Sequence, residues 1–415
     1  MNFAWGVFYI IKRGKTGLNS EDKYILYREK KAKRLSFLFR LMWILPIKKN
    51  KIVFACFEGD GGYGDNPKYI AEELHRRNEQ FDLVWLTHDV TREFPDYIKV
   101  RKDSLLNTVY HLATAKVWID NYRKPYGTLK RKNQLYIQTW HATIGFKAVG
   151  LFRGDKFPEI ARRVSEWDSN LADYIISNSE YCDKVYPKKL LYNGPTLRVG
   201  SPRLDILVNS KQEHNVSMRK KLGIDMDEYV VLYAPTFRGG TQKDTKKVYL
   251  KDFSIDFSRV AMTFEKKYEK KCRILLRVHP QVSAKLDEND LYNREGILDV
   301  SLMPDLSEIM TVADIVITDY SSCAFDAAFV GIPVLLYADD VKEYVDNRGE
   351  FMWKREELPF EIAENNDELE NNILEFDEAK YQKHIELFMS KNKVSEDGKA
   401  SERLGEIIAN YIDTM

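Results

Sequence analysis

The sequence is poor in cysteine, in net charge and in long apolar runs. Four cysteines among 415 residues, none in a Cys-x-x-Cys pair, exclude a disulfide scaffold and a cysteine-based zinc site and favour a reducing compartment. The formal net charge of +1 gives no sign of the basic domain expected in a nucleic-acid-binding protein. The densest apolar run, 35–47, is shorter than the ~20 residues of a transmembrane helix. What remains is a chain long enough for two domains.

The near-neutral total conceals a basic N-terminal arm. Residues 1–51 contain 13 Lys and Arg and 3 Asp and Glu, a net +10 that leaves −9 for the remainder. The run 35–47 lies too far inside the chain for an ordinary signal peptide and is flanked by lysines. This pattern predicts an amphipathic helix on an anionic membrane surface, and the alternative is a basic helix packed on the protein itself. The predicted apolar stripe consists of Leu35, Phe37, Leu38, Leu41, Met42 and Trp43.

Beyond the arm, short apolar runs alternate with helical patterns. Strands are predicted at 51–59, 81–89, 116–122, 134–142, 172–180, 197–205, 229–237, 272–280 and 314–322, and a further strand is predicted at the end of the run 327–335. This alternation predicts an α/β protein with parallel sheets covered on both faces. Because the pattern restarts near 229, we expect two doubly wound, Rossmann-like domains. The expected division is an arm at 1–50, a first domain at 51–197 and a second domain at 198–415, with a ligand cleft between the domains.

Two of the seven histidines follow apolar strands at their C-terminal ends, where a catalytic group is expected. These are His141, after the run 134–140, and His279, after the run beginning at 272. A neutral imidazole in such a place could act as a general base near pH 7, and the alternative is a hydrogen-bonded structural histidine.

Other strand ends of the second half carry groups suited to phosphate. Thr236 and Arg238 follow one strand, and Arg277 precedes His279 on the next. Asp319, Ser321 and Ser322 follow a third strand and precede a helix. Together these groups predict a phosphate-binding wall opposite His141. The Gly-rich turn 59–67 is a weak nucleotide motif because it lacks the GKS/T of a P-loop.

Several motifs, taken in order, resemble one enzyme family. They are TWHATIGFK, SNSEY, VGSPRLD, LYAPTFR, RVHP, TDYSSCAFDAAFVGIPVLLY and EYVDNRG. Over about residues 50–355 the chain looks like the CDP-glycerol glycerophosphotransferases, the teichoic-acid primases and polymerases and related capsule polymerases. The resemblance implies a GT-B-like fold, no cofactor, no required metal and peripheral attachment to the cytoplasmic face of a bacterial membrane.

The same resemblance implies roles for individual residues. His141 matches the base that deprotonates the acceptor hydroxyl, and Arg238 and His279 match positions that hold donor phosphates. Asp319, Ser321 and Ser322 match the pyrophosphate-binding turn. Glu343, Arg348 and Gly349 fall in the segment expected near the nucleotide or the polyol. The implied partners are a CDP-glycerol donor, a lipid-linked or polyol-phosphate acceptor and an anionic membrane surface, with no nucleic acid.

The sequence also departs from the family pattern. The family's HGTPLK is here HATIGFK, with Ile144, Gly145 and Phe146 in place of Pro and Leu, and GFY after Arg-Gly is here GEF. Both changes are expected near the acceptor and polyol sites, so CDP-ribitol is an alternative donor. The sequence is also compatible with a nucleotide-sugar glycosyltransferase and with a non-catalytic membrane-surface scaffold. It leaves open whether the chain forms a homo-oligomer.

Overall fold

The computed structural model describes residues 19–78, 80–236, 254–278, 296–348 and 350–414. Two parallel sheets organise this part of the chain, with helices on their faces. The strands of the first sheet are β1 (Lys48–Ala55), β2 (Asp82–Thr87), β3 (Lys99–Lys102), β4 (Ala115–Asp120), β5 (Leu135–Gln138), β6 (Tyr174–Ser177) and β7 (Thr196–Arg198). Their order is β3-β2-β1-β4-β5-β6-β7. Every paired neighbour is parallel.

The second sheet repeats this architecture. Its strands are β8 (Tyr229–Tyr233), β9 (Cys272–Leu276), β10 (Ile297–Asp299), β11 (Ile315–Thr318), β12 (Val334–Tyr337) and β13 (Glu361–Ala363). The order is β10-β9-β8-β11-β12-β13, again with parallel neighbours. A strand that is buried on both faces has a nearly continuous run of apolar residues in its sequence. This is why most were predictable, whereas the short edge strands β3, β10 and β13 were not.

The helices that cover the sheets lie between the strands along most of the described chain and follow the last strand at its C-terminal end. They are α1 (Ser20–Met42), α2 (Asp65–Arg77), α3 (Leu105–Thr114), α4 (Glu159–Leu171), α5 (Glu180–Lys189), α6 (Asp205–Asn209), α7 (Lys211–Leu222), α8 (Phe257–Tyr268), α9 (Leu306–Met310), α10 (Cys323–Phe329), α11 (Val341–Arg348), α12 (Asn366–Glu375), α13 (Glu378–Asn392) and α14 (Ala400–Asp413).

The final helix corrects one part of the expected domain division. The sequence predicts that residues 198–415 form the second domain, but α14 packs against α2 of the first domain. Its Leu404, Ile408 and Ile412 are buried in one cluster with Ile70 and Leu74 of α2. The chain therefore returns to the first domain at its C-terminal end.

Helix α1 packs along one side of the first domain. Its Asn19 cap accepts a hydrogen bond from the Asp22 N–H at 2.8 Å, which stabilises the first turn. The fully buried Phe39 joins the apolar cluster of β1, β2, α3 and β4. Gly127 has a φ of +100°, and a Cβ there would overlap the backbone of Ala32, so this close approach needs glycine.

The predicted apolar stripe of this helix is divided between two sides. Leu35, Leu38, Met42 and Trp43 pack against the first-domain core, whereas Phe37 and Leu41 are 60% and 53% exposed. Packing on the protein and an exposed apolar surface are therefore both present in the same helix. Within the described residues, no helix is long and apolar enough to cross a membrane.

The two phenylalanines of α1 test its packing. Phe39→Ala is expected to lower the free energy of unfolding by about 3–5 kcal/mol, because it empties a fully buried aromatic site. Phe37→Ala is the matched control on the exposed side, and its expected change is about 0.5 kcal/mol or less. Urea unfolding followed by circular dichroism measures both. Equal losses from the two substitutions would contradict the burial of Phe39 and the exposure of Phe37.

Candidate active site

A large cleft of about 2060 Å³ lies between the two domains, where the carboxyl ends of their strands meet. The first domain contributes His141, which follows β5, and Tyr122, which follows β4. The second domain contributes Thr236 after β8, Arg277 after β9 and Ser321 after β11. The cleft therefore brings together the predicted base and three of the predicted phosphate-binding residues.

A backbone carbonyl fixes the orientation and tautomer of His141. Its Nδ1 lies 3.0 Å from the carbonyl oxygen of Asn121, which can only accept a hydrogen bond. In the neutral ring Nδ1 therefore carries the proton, and the lone pair is on Nε2. The rings of Phe57, Tyr122 and Trp140 surround the imidazole at centroid distances of 5.4, 5.7 and 4.4 Å.

Burial lowers the pKa of His141 to about 4, and the positive charges of Arg203 and Arg123 act in the same direction. The hydrogen bond to Asn121 and the charge of Asp65 oppose this effect. The imidazole is therefore neutral at pH 7 and can accept a proton. Because the unfolded chain would bind this proton at a pKa near 6.5, His141 contributes a loss of stability as the pH falls from about 6.5 towards 4.

The backbone around His141 is held in unusual conformations. Four non-glycine residues near it have positive φ values of 46° to 57°, namely Phe57, Glu58, Asp65 and Trp140. Such values cost energy and persist only where neighbouring contacts enforce them. Asn121 Oδ1 accepts from the Phe57 N–H at 2.8 Å, and Gln138 Oε1 accepts from the Trp140 N–H at 2.9 Å. The strand ends are thus positioned by buried side-chain amides.

Asp319 connects two strand ends of the second domain. Its carboxylate is buried and accepts hydrogen bonds from the N–H groups of Thr236 at 2.8 Å and Tyr320 at 2.5 Å. Arg277 donates to the carbonyl oxygen of Met303 at 2.6 Å, so it also orders the loop 300–303 beside the cleft. Asp319 therefore has a positioning geometry, whereas Thr236 and Arg277 reach the cleft itself.

The remaining predicted site residues are placed differently or not described. Ser322 is half-buried at the start of α10, where a Cβ on Gly145 would lie 3.5 Å from its Cβ. Glu343 is exposed on α11 and is absent from the described cleft lining, to which its neighbour Tyr344 belongs. Arg238, His279 and Gly349 lie outside the described residues, as does the side chain of Arg348.

The altered motif after His141 has a structural explanation. Ile144 and Phe146 were expected near the acceptor and polyol sites, but both are buried in the core shared by the two domains. The Phe146 ring lies 4.7 Å from that of Phe325 and 6.0 Å from that of Phe360. These positions therefore join the domains, and their change is not evidence against either polyol.

Sequence reasoning missed a group of cations on the His141 side of the cleft. They are Arg28, Arg92, Arg123, Lys147 and Arg153. Arg123 follows the end of β4 and stacks over the Trp140 ring at 4.6 Å, so the strand-end pattern could have identified it. Arg28 had no such pattern, because it reaches the cleft only through the packing of α1. In the part of the chain that the structure describes, no cluster of three or more His, Cys, Asp and Glu side chains could hold a metal ion.

Comparison with known proteins places this geometry in a family. The chain is 30% identical over 374 residues to the teichoic acid poly(glycerol phosphate) polymerase of Staphylococcus epidermidis, covering 87% of this chain and 51% of the relative. It is also 30% identical over 379 residues to the teichoic acid poly(ribitol-phosphate) polymerase of Bacillus spizizenii, covering 89% and 57%. The chain therefore spans little more than half the length of either relative.

A solved structure of the wall teichoic acid polymerase TagF matches with a TM-score of 0.79 and 27% identity, covering 96% of this chain and 99% of that one. This similarity confirms the GT-B-like fold. The sequence profile described as CDP-Glycerol:Poly(glycerophosphate) glycerophosphotransferase matches residues 37–410. The chain belongs to this glycerophosphotransferase family.

Proposed function

We propose that this chain transfers a polyol phosphate from a CDP-linked donor to a hydroxyl group of an acceptor and releases CMP. One observation carries the proposal: in a chain of this family, the neutral His141 imidazole lies on the same cleft as Thr236, Arg277 and Ser321. Glycerol phosphate is the first candidate because the family description names it. Ribitol phosphate is the alternative, supported by the similarity to a ribitol-phosphate polymerase.

The chemical step needs a base and stabilisation of phosphoryl charge. The acceptor oxygen attacks the β-phosphorus of the donor, and the bond from that phosphorus to the oxygen of CMP breaks. CMP leaves with the electron pair, while Nε2 of His141 takes the proton of the attacking hydroxyl. Fixed donors in the cleft stabilise the charge that develops on the phosphoryl oxygens. Because the acceptor oxygen attacks the donor phosphorus directly, the step requires no covalent enzyme intermediate.

The second domain supplies the proposed donor site. Thr236, Arg277 and Ser321 line the cleft at three strand ends. Arg238 and His279 complete the phosphate-binding group in this proposal. A guanidinium is suited to this role because its planar donors match two phosphate oxygens at once.

The first domain supplies the proposed acceptor site. Arg28, Arg123, Lys147 and Arg153 line the cleft on the same side as His141. This concentration of positive charge suits an acceptor that carries phosphate groups of its own, such as a chain of polyol phosphates. The acceptor hydroxyl would then approach Nε2 of His141 from its own domain.

Donor specificity can be measured directly. The chain is expected to release CMP from CDP-glycerol or CDP-ribitol in the presence of a polyol-phosphate acceptor, and to release no UDP from UDP-sugars. Chromatography of the released nucleotide measures each reaction. UDP release without CMP release would favour a glycosyltransferase, and no release from any donor would favour a non-catalytic scaffold.

His141 has a matched control elsewhere in the first domain. His141→Ala is expected to lower kcat by at least about 10²-fold while the Kd for the CDP-polyol stays within about twofold, because the base acts on the acceptor and not on donor binding. Wild-type activity should fall only as the pH approaches the His141 pKa of about 4, where the base becomes protonated.

The control is His111→Gln. His111 is also a buried histidine whose pKa burial lowers to about 4, but it lies on α3 and is absent from the described cleft lining. Its replacement should leave kcat nearly unchanged. An equal loss of donor binding and turnover in His141→Ala would contradict its assignment as the base.

We also propose that α1 binds the surface of an anionic membrane. One exposed side of this helix carries residues at alternating spacings of four and three, which places them on a common face. They are Lys23, Tyr27, Lys30, Arg34, Phe37 and Leu41. Basic side chains beside exposed aromatic and aliphatic groups are typical of an interfacial helix, which buries its apolar groups among lipid headgroups.

Vesicle binding tests this face. Phe37→Ala with Leu41→Ala is expected to weaken binding to vesicles containing anionic phosphatidylglycerol by at least about tenfold, since each exposed side chain would bury apolar area worth about 1.5–3 kcal/mol. Leu387→Ala is the control, because Leu387 is similarly exposed at 59% but lies on α13. Co-sedimentation measures the binding. Unchanged binding of the double variant would contradict the proposal.

A further inference from the structure

Arg203 is a buried cation at the junction of the two domains. It lies in the short helical turn Pro202–Leu204, and its side chain is only 5% exposed. Its Nη2 donates to both carboxylate oxygens of Asp326 at 3.0 and 2.9 Å, and its Nε lies 3.2 Å from one of them. Its Nη1 lies 3.3 Å from Asp65 Oδ1. One guanidinium thus neutralises carboxylates from both domains. Burial alone would lower its pKa, but the charges of Asp326 and Asp65 outweigh burial, raise the pKa and keep the guanidinium charged.

On the first-domain side, Arg203 is linked to the backbone that precedes His141. The N–H of Arg203 donates to Asn66 Oδ1 at 3.1 Å. The Nδ2 of Asn66 donates to the carbonyl oxygen of Trp140 at 3.1 Å. Asn66 is only 1% exposed, and Trp140 has a positive φ of 49°. The peptide that leads into His141 is therefore held by the Asn66 side-chain amide, which in turn accepts a hydrogen bond from the backbone N–H of Arg203.

On the second-domain side, Arg203 is linked to the serine turn. Asp326 lies in the first turn of α10, and its own N–H donates to the carbonyl oxygen of Ser322 at 3.3 Å. Ser321, the preceding residue, lines the cleft. The guanidinium therefore holds the turn that presents these serines, although the described cleft lining does not include Arg203 itself.

We propose that Arg203 is a positioning residue that sets the separation between His141 and the serine turn at Ser321 and Ser322. The role rests on the proposed transfer reaction, in which the attacking hydroxyl and the donor phosphorus must meet between these two groups. Arg203 acts through the contact of its backbone N–H with Asn66 and through the contacts of its guanidinium with Asp326 and Asp65. A shift of about 1 Å between reacting groups can cost about 10²-fold in rate, so such a residue can control turnover without touching the substrate.

The forked shape of the guanidinium is essential to this role. A lysine ammonium keeps the charge, but it is a compact donor that cannot keep the paired geometry to Asp326 and the contact to Asp65 together. Arg203→Lys should therefore preserve charge balance while loosening the junction. This substitution separates the positioning effect from the larger damage expected when two buried carboxylates lose their cation.

The test compares Arg203→Lys with Arg219→Lys. Arg219 is also buried, donates to the carbonyls of Asp225 and Glu228 at 2.7 and 3.0 Å, and lies near the amino ends of the second sheet, away from the junction. Arg203→Lys is expected to lower kcat by about 10–100-fold. The Kd for the CDP-polyol should change by less than about threefold, and the melting temperature should fall no further than in Arg219→Lys, whose kcat should stay near wild type.

A double-mutant cycle distinguishes positioning from general destabilisation. Asn66→Ala removes the link between Arg203 and the carbonyl of Trp140 and leaves the contacts of Arg203 with Asp326 and Asp65 in place, so it also serves if Arg203→Lys fails to fold. The two substitutions combined should lower kcat no more than the larger single effect, because they interrupt one path. Fold-reductions that multiply, or an unchanged kcat in either single variant, would overturn the role of Arg203.

The reference for this experiment is the wild-type chain with CDP-glycerol and CDP-ribitol. Normal CMP release by the wild type together with unimpaired Arg203→Lys counts against the positioning role alone. Absence of CMP release by the wild type counts against the transfer reaction, and the positioning role falls with it.

Discussion

The geometry of the cleft depends on the contact between Phe146, a residue of the first domain, and the apolar core of the second domain. The same segment that carries His141 continues through Ile144 to this phenylalanine, which packs against Phe325 of α10. Its carbonyl oxygen accepts the N–H of Met352 at 2.7 Å, and the carbonyl of Gly145 accepts from Trp353 Nε1 at 3.1 Å. Because base and anchor are five residues apart, the position of one domain constrains the imidazole of the other.

Buried ion pairs add specificity to this apolar contact. Lys68 of α2 pairs with Asp305 at 3.1 Å and with Glu308 at 2.5 Å, and its side chain is only 6% exposed. Desolvating such charges costs much of the energy that their pairing returns, so they add less to stability than apolar contacts of equal area. They do penalise any other alignment, since a shift of the domains would leave buried charges unpaired. Apolar burial therefore holds the domains together, while the charges select their relative position.

The sequence predicted the sheets and the strand ends because those features are local. A strand buried on both faces must be a short apolar run, and the polar residue that follows it must lie at the sheet edge, which located His141, Thr236 and Ser321. Features that depend on distant packing were missed. Leu404 and Ile408 form an apolar stripe, but nothing in the stripe identifies α2 as its partner. For the same reason Ile144 and Phe146 were placed near the substrate and not in the shared core.

The charge asymmetry of the chain has a structural counterpart in α1. Its inner side packs through Ile25, Ala32 and Phe39, while Tyr24 and Arg28 on an adjacent side line the cleft. The exposed basic and apolar face begins about a quarter turn away from these cleft residues. If this face lies on a membrane, as proposed, the mouth of the cleft beside Arg28 lies close to the same surface. An acceptor anchored in the bilayer could then reach His141 without leaving it, which explains why one helix would carry both surface-binding and cleft-lining residues.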